Sequence, residues 1–225
     1  MKKVVVISGA GISAESGIQT FRDAKGLWEN HDVMEVASYG GWLKNPALVL
    51  DFYNRRRSQV LVSKPNLAHT ILAELEENYS VNIITQNVDD LHERAGSSNV
   101  LHLHGELLKS RSSLQKELVY DCKQDIQLGD LCELGSQLRP HIVWFGEEVP
   151  LLDQAINLVR EAYVLLVIGT SLLVYPAAGL IHYAPAQAQK FIIDPDIPNN
   201  TPSDFIRIKS TAVEGIHTFQ NYIHG

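Results

Sequence analysis

The sequence predicts an α/β fold, a doubly wound parallel sheet with a smaller domain formed by two insertions. Three observations predict it. Short apolar, β-rich runs alternate with stretches of helical period, the pattern of parallel strands joined by crossover helices. Several of those runs are apolar on both faces, as strands covered by two layers must be. Two stretches, residues 22–65 and 107–139, break the alternation: the first is helical and contributes no strand, the second is polar and weakly periodic. Both are assigned to the smaller domain, which leaves residues 1–21, 66–106 and 140–225 for the sheet and its helices.

Taken in order, the first strand is at 4–8, an apolar run ended by Ser8, which leads into a glycine-rich turn. Helical period then places helices at 46–62 and 67–78. Strands follow at 82–85, 100–104 and 141–145, then a helix at 152–161. The longest apolar run lies within the strand read at 163–169, and a helix at 177–183 succeeds it. Strands at 190–194 and 205–208 and a helix at 213–223 complete the alternation, with no internal repeat.

Composition excludes several classes of function. A chain of 225 residues, 45% hydrophobic and 20% charged, is long enough to bury a core and argues against disorder, collagen and a disulfide scaffold. Its 19 Lys+Arg against 26 Asp+Glu give a net charge of −7, so no chain-wide basic field for nucleic acid exists. The apolar run 163–168 is far short of the ~20 residues that a bilayer requires. Met1-Lys2-Lys3 leads straight into a strand, so no signal peptide is expected and a cytoplasmic location is. Two cysteines, Cys122 and Cys132, with no Cys-x-x-Cys, fit a reducing compartment and no local thiolate zinc site. Oligomeric state is not encoded in these features.

Candidate site residues gather where strands end. The run Gly9-Ala10-Gly11-Ile12-Ser13-Ala14-Glu15-Ser16-Gly17 follows the first strand and precedes Phe21-Arg22. Glycines there let a pyrophosphate approach the backbone, and a helix N-terminus offers free N–H groups. A tight turn uses glycine for steric reasons as well. A hydride-transfer dehydrogenase would want an acidic residue ending a second strand about 20 residues on; that region is helical here and holds Trp28 and Glu29. Gln86-Asn87-Val88-Asp89-Asp90 and His102-Leu103-His104-Gly105-Glu106 follow the next two strands. In open α/β sheets ligands bind outside the carboxyl ends of strands, so these amides, carboxylates and histidines describe a site. Asp89 or Asp90 taken singly reads as a helix cap. His102 and His104 share one strand face, but no third metal ligand stands at a recognisable spacing; His104 is read as a general base and His102 as a packed, hydrogen-bonded histidine.

These motifs, together with Arg139-Pro140-His141-Ile142-Val143-Trp144-Phe145-Gly146-Glu147 and Gly169-Thr170-Ser171-Leu172-Leu173-Val174-Tyr175-Pro176-Ala177, resemble the sirtuins in kind and in order. The resemblance implies an NAD-dependent protein-lysine deacylase with a Rossmann-like NAD domain and a small domain. It implies that the acyl oxygen attacks the ribose carbon bearing nicotinamide, giving an alkylimidate, and that His104 then deprotonates a ribose hydroxyl. On the same likeness Asn87 and Asp89 act at the nicotinamide and its ribose, with Gln86 and Val88 beside them. Gly9, Ala10, Gly11, Ser13 and Ala14 carry the pyrophosphate side, and Phe21, Arg22 and Trp28 close over the cofactor. Gly169, Thr170 and Ser171 face the adenosine, as do Asp194, Pro195, Asp196 and Ser210. The family reads Asn-x-Glu where this chain reads Asp194-Pro195-Asp196, and a carboxylate accepts from a ribose hydroxyl without the donor of an amide. The substrate peptide is expected as an added strand on Val143, Phe145, Gly146 and Glu147 on one side and Val174 and Tyr175 on the other.

Tyr53 and Arg56 stand at i, i+3 on one helical face. A phenol and a guanidinium together grip a carboxylate, and the Tyr-x-x-Arg spacing resembles the class that removes succinyl, malonyl or glutaryl groups. Ala14, where many relatives carry a bulkier residue, widens the same pocket. Arg55 and Arg57 are read as a solvated helix face. Most sirtuins hold zinc through two Cys-x-x-Cys pairs; here the interval has only Cys122 and Cys132, with Ser112 and Ser113 near the first pair, so no bound zinc is expected. The competing functions are a sirtuin-like protein ADP-ribosyltransferase and a non-catalytic NAD or ADP-ribose sensor; a His-x-His metal hydrolase lacks its ligands.

Overall fold

The computed structural model describes residues 1–19, 27–28, 31–199 and 201–224. Its centre is a six-stranded sheet in the order β11-β10-β9-β1-β4-β5. These strands are β1 (Lys3–Ser8), β4 (Ser80–Thr85), β5 (Val100–His102), β9 (Val164–Ile168), β10 (Gln189–Ile193) and β11 (Phe205–Ile208). Every pairing within it is parallel. Strands β1 and β9 are buried at every residue from Val4 to Ser8 and from Val164 to Ile168, as their unbroken apolar runs require. Because β1 is central, the chain leaves it for β4 and β5 on one side and for β9 to β11 on the other. The carboxyl ends of β1 and β9 thus flank the topological switch point, where an open sheet leaves a crevice.

Helices cover both faces. On one, α5 (Leu67–Glu74) and α8 (Ala212–His224) pack Leu72, Ile216 and Phe219 against Val4, Val6 and Phe191. On the other, α7 (Leu152–Arg160) and the 3₁₀ segment Ala177–Tyr183 bury Val159, Leu180 and Ile181 against Val5, Ile7 and Leu165. Asn66 caps α5 by a reciprocal bond with His69, whose ring is fully buried. Burial, with the Arg94 charge, pushes His69 down to about 4. Below about pH 6.5 the unfolded chain therefore binds a proton that the folded chain refuses, and stability falls as pH drops toward 4 by about 3 kcal/mol. We expect His69→Gln to flatten the acid limb of Tm against pH between 6.5 and 4.5; an unchanged slope refutes that origin.

The remaining elements form a third core. Helices α2 (Val33–Val36), α3 (Tyr39–Lys44) and α4 (Pro46–Val62) pack Trp42, Phe52 and Tyr53 against Trp144 and Ile126. Two expectations are corrected here. The stretch 22–65 does contribute strands, a short antiparallel pair β2 (Leu27–Trp28) and β3 (His31–Asp32), too short to show periodicity. The polar stretch 107–139 holds most of a three-stranded antiparallel sheet, β7-β6-β8, of β6 (Gly105–Ser112), β7 (Val119–Asp121) and β8 (Leu138–Ile142). The strand read at 141–145 is thus β8, in this separate sheet rather than the central one. The strand read at 100–104 stops at His102, because the chain turns at His104 into β6. Gly105 makes that turn at φ +83°, and a Cβ there would meet the His141 carbonyl oxygen at 2.1 Å.

Where the small sheet ends, Ser112 Oγ and Ser136 Oγ lie 2.6 Å apart, with Cys132 Sγ 3.1 Å from Ser136 Oγ. Cys122 instead bonds the Gln124 carbonyl oxygen. Two neutral hydroxyls and one thiol, with the second thiol committed elsewhere, do not fit zinc. Among the described residues no group of three His, Cys, Asp or Glu side chains could hold a metal ion. None of the described helices is long and apolar enough to cross a membrane.

Candidate active site

A cavity of about 800 Å³ opens at the switch point. It brings together Gly9, Ala10, Gly11, Ser13 and Ala14 from the first turn and Gln86, Asn87, Val88 and Asp89 from the end of β4. His104 follows β5, and Gly169, Thr170 and Ser171 follow β9. Phe21 and Arg22 lie outside the described residues, and Trp28 is described only as backbone, in β2.

The glycine turn serves first to seat two loops against each other. Gly11 N–H donates to Gly169 O at 2.8 Å, and a Cβ on Gly11 would come within 2.7 Å of Gly169 Cα. The helix expected to point its N-terminus at a pyrophosphate, α1 (Gly11–Ala14), is a single turn. With so few aligned peptides its dipole is small, so this turn contributes shape more than charge.

Beyond it, Asn87 Nδ2 donates to Ser13 Oγ, which donates to Asp89 Oδ2, both at 3.1 Å; Leu91 N–H closes on Asp89 Oδ1. Burial raises the Asp89 carboxyl despite these bonds. Under this chain lies a second one that sequence reading missed: Ser8 Oγ donates to Thr85 Oγ1, which accepts from Asn87 N–H, while the buried His92 Nε2 meets Ser8 Oγ at 2.9 Å. Burial holds His92 well below the usual histidine range, so it stays neutral. The signal lay in polar residues ending apolar strands, Ser8 and Thr85, which are register partners in the neighbouring strands β1 and β4.

The two histidines at the end of β5 differ in charge. His102 has Nδ1 3.2 Å from the Asn87 carbonyl and Nε2 2.6 Å from Glu93, and both partners only accept. Both nitrogens therefore carry protons. Burial works against this imidazolium, yet the Glu93 carboxylate outweighs it and raises His102. His104 has Nδ1 3.1 Å from the Gln86 carbonyl, so its proton is on Nδ1 and the lone pair on Nε2. With no carboxylate bonded to it among the described residues, burial dominates and lowers His104. One ring is a fixed cation and the other a neutral base.

Tyr53, Arg56, Ile18, Val60 and Trp144 also line the cavity. Tyr53 and Arg56 are buried, and Trp144 Nε1 donates to the Tyr53 oxygen at 2.9 Å. Burial pushes Tyr53 up to about 12. Arg55 is exposed and pairs with Asp51, as a solvated face would. Arg57 is not solvated: it is fully buried and donates from Nε to Leu107 O and from a terminal nitrogen to Asn54 Oδ1. Its face of α4 meets β6, a contact that helical period alone does not locate.

Val143, Phe145, Gly146, Glu147, Val174 and Tyr175 all border the cavity. Two of them are already engaged. Phe145 N–H donates to Ala37 O and its carbonyl accepts from Tyr39 N–H, so its main chain is closed to a substrate strand. Glu147 is bound by Arg139, Arg111 and the Trp144 N–H, which makes it a structural anchor. After β10 Asp194 and Pro195 line the cavity, whereas Asp196 folds back, its N–H on Asp194 Oδ1. Ser210 is also outside the lining and bonds Glu214; the neighbouring Thr211 and Ala212 occupy the wall instead.

The Sir2 family matches residues 9–176. A Helicobacter pylori protein named NAD-dependent protein deacylase is 61% identical over 217 residues, covering 96% of this chain and 95% of that protein. A crystal structure of a Sir2 homolog–NAD complex superposes with a TM-score of 0.89 at 39% identity, covering 99% of this chain and 90% of that one. A Sir2 structure with a deacetylated p53 peptide and 3′-O-acetyl ADP-ribose gives 0.84 at 32% identity, covering 97% and 92%. With the Gly9 turn, the Asn87–Asp89 chain and His104 assembled around one crevice at the switch point of its Rossmann-like sheet, the protein belongs to the Sir2 family.

Proposed function

We propose that this protein is an NAD-dependent protein-lysine deacylase acting on acetyl-lysine and on acidic acyl-lysines such as succinyl and malonyl, releasing nicotinamide and O-acyl-ADP-ribose. The observation that carries the reading is His104: a neutral imidazole, its Nδ1 proton committed to Gln86 O, within the cavity that also holds Asn87 and the Tyr53–Arg56 pair. The cavity fits NAD in volume and chemistry: about 800 Å³, lined by the small residues of the Gly9 turn and by acceptors for hydroxyl and amide groups, Asp194 and Asp89 among them. When bound, NAD supplies a ribose carbon for the acyl oxygen and nicotinamide as the leaving group. His104 Nε2 accepts the proton of a ribose hydroxyl. Asn87 and Asp89, tied through Ser13, orient the nicotinamide end, and Gln86, bonded to Thr170 Oγ1 at 3.2 Å, borders the ribose. Gly146 and Val174 hold the substrate main chain. The two free thiols support a cytoplasmic setting.

The test is a panel of acetyl, succinyl and unmodified lysine peptides with NAD. We expect nicotinamide release that requires an acyl group, and O-acyl-ADP-ribose as product. ADP-ribose attached to protein, or no nicotinamide with any peptide, overturns the reading. No zinc belongs to this function: elemental analysis should find it well below one per chain, and chelation should leave deacylation unchanged. Stoichiometric zinc refutes this.

A further inference from the structure

The acyl end of the cavity contains a hydrogen bond whose direction matters. Indole Nε1 is a donor only, so in the 2.9 Å contact between Trp144 and Tyr53 the phenolic oxygen accepts. The phenol's own proton is left to be donated, and no acceptor for it is found among the described residues. Had the partner been a carbonyl or carboxylate, that proton would have been taken. Burial keeps the phenol protonated, with Tyr53 at about 12.

Trp144 is itself held on every side. Its backbone N–H donates to Glu147 Oε2 at 2.9 Å, and the Arg139 guanidinium lies 3.4 Å from the centre of its ring. Arg139 is locked by a fork onto both Glu147 oxygens and by a bond to Ile142 O. Trp42 is a further neighbour, with ring centroids 5.5 Å apart. Trp144 and Tyr53 are 2% and 1% exposed, so neither ring has room to swing. Arg56, one helical turn from Tyr53, brings positive charge to the same end.

We propose that Trp144 is a positioning residue for acyl specificity: by donating to the Tyr53 oxygen, it fixes the phenol so that its O–H is presented to the carboxylate of an acidic acyl group. An acetyl group ends in a methyl there and gives that proton nothing to bond. This inference rests on the proposed acidic-acyl activity and adds to it a residue outside the Tyr-x-x-Arg pair.

The experiment compares kcat/KM for succinyl and acetyl peptides in Trp144→Phe, in Tyr53→Phe and in the double variant. Loss of one neutral hydrogen bond predicts that Trp144→Phe lowers the succinyl-to-acetyl ratio about three- to ten-fold, through KM for the succinyl peptide. In the Tyr53→Phe background the same substitution should move the ratio less than about two-fold, because the group that it orients is gone. An unchanged ratio in Trp144→Phe, or an equal fall in both backgrounds, overturns the proposal. If the smaller ring prevents folding, benzothienylalanine at position 144 keeps the bicyclic shape without the N–H, and the same ratio is read. Arg56→Met separates the layers. If it leaves the ratio intact, the acidic-acyl reading fails, and the role of Trp144 with it; if it collapses the ratio while the Trp144 variants do not, only the role of Trp144 fails.

Discussion

Replacing His104 with Tyr is expected to lower kcat for every acyl peptide by at least about 100-fold, the usual contribution of a positioned general base. The imidazole has one nitrogen committed to the Gln86 carbonyl and the other bearing the lone pair; a phenol offers no base near neutral pH. His104→Gln keeps a donor for that carbonyl and should fail equally, which separates lost basicity from lost packing. The pH profile carries the sign. Burial lowers His104, so the neutral, active form persists below the ~6.5 of a free histidine. Activity should hold as pH falls through 6.5 and decline only further down, as the depressed group takes up its proton. An acid limb centred above 6.5 would falsify the assignment, as would a His104→Gln enzyme of near wild-type rate.

Replacing Arg56 with Met is the second large effect. The guanidinium is 4% exposed, in a cavity end shared with Tyr53, and its charge is felt at that phenol. A succinyl carboxylate entering there loses water, and only an apposed cation makes that entry favourable. Removing one partner of such a pair costs about 2 kcal/mol or more, so succinyl kcat/KM should fall about 30-fold or more. Acetyl-lysine brings no charge to the position and should fall far less. Met retains the volume of the stem, which keeps the third core packed. Steady-state kinetics on matched peptides decide it, and equal losses for both substrates sink the acidic-acyl reading. The net charge of −7, a whole-chain figure, does not oppose it: Arg56 lines the cavity, and the Glu147 carboxylate that also lines it is paired with Arg111 and Arg139.

Much of the fold was legible because the central strands are apolar without interruption. Val4 to Ile7 and Val164 to Ile168 state in their composition that both faces are covered, and parallel order follows from the helices between them. The helix at 46–62 was read to its observed bounds. The small sheet was not legible, since β6 to β8 carry polar residues and no clear alternation. Its shape depends on Gly105 letting β6 pass close to His141. Among the site residues, the strand-end motifs named the cavity wall, but residue type did not say how each side chain is used. Arg57 and Arg56 are adjacent in sequence and both buried; one ties α4 to Leu107 and bonds Asn54 within the helix, and the other lines the cavity. Glu147 lines the cavity and is consumed by two guanidiniums.

The sequence by itself determined the layered sheet, the crevice at its switch point and the chemical groups gathered there, because periodicity and strand ends are local properties of the chain. Only the tertiary structure decided the state of those groups. His102 is a cation because Glu93 reaches it, His104 is a neutral base because a carbonyl accepts from its Nδ1–H, and Tyr53 keeps a proton to donate because Trp144 donates to it and cannot accept. Charge, tautomer and hydrogen-bond direction depend on partners brought from distant positions in the chain, 91 residues away in the case of Tyr53. No local pattern records them.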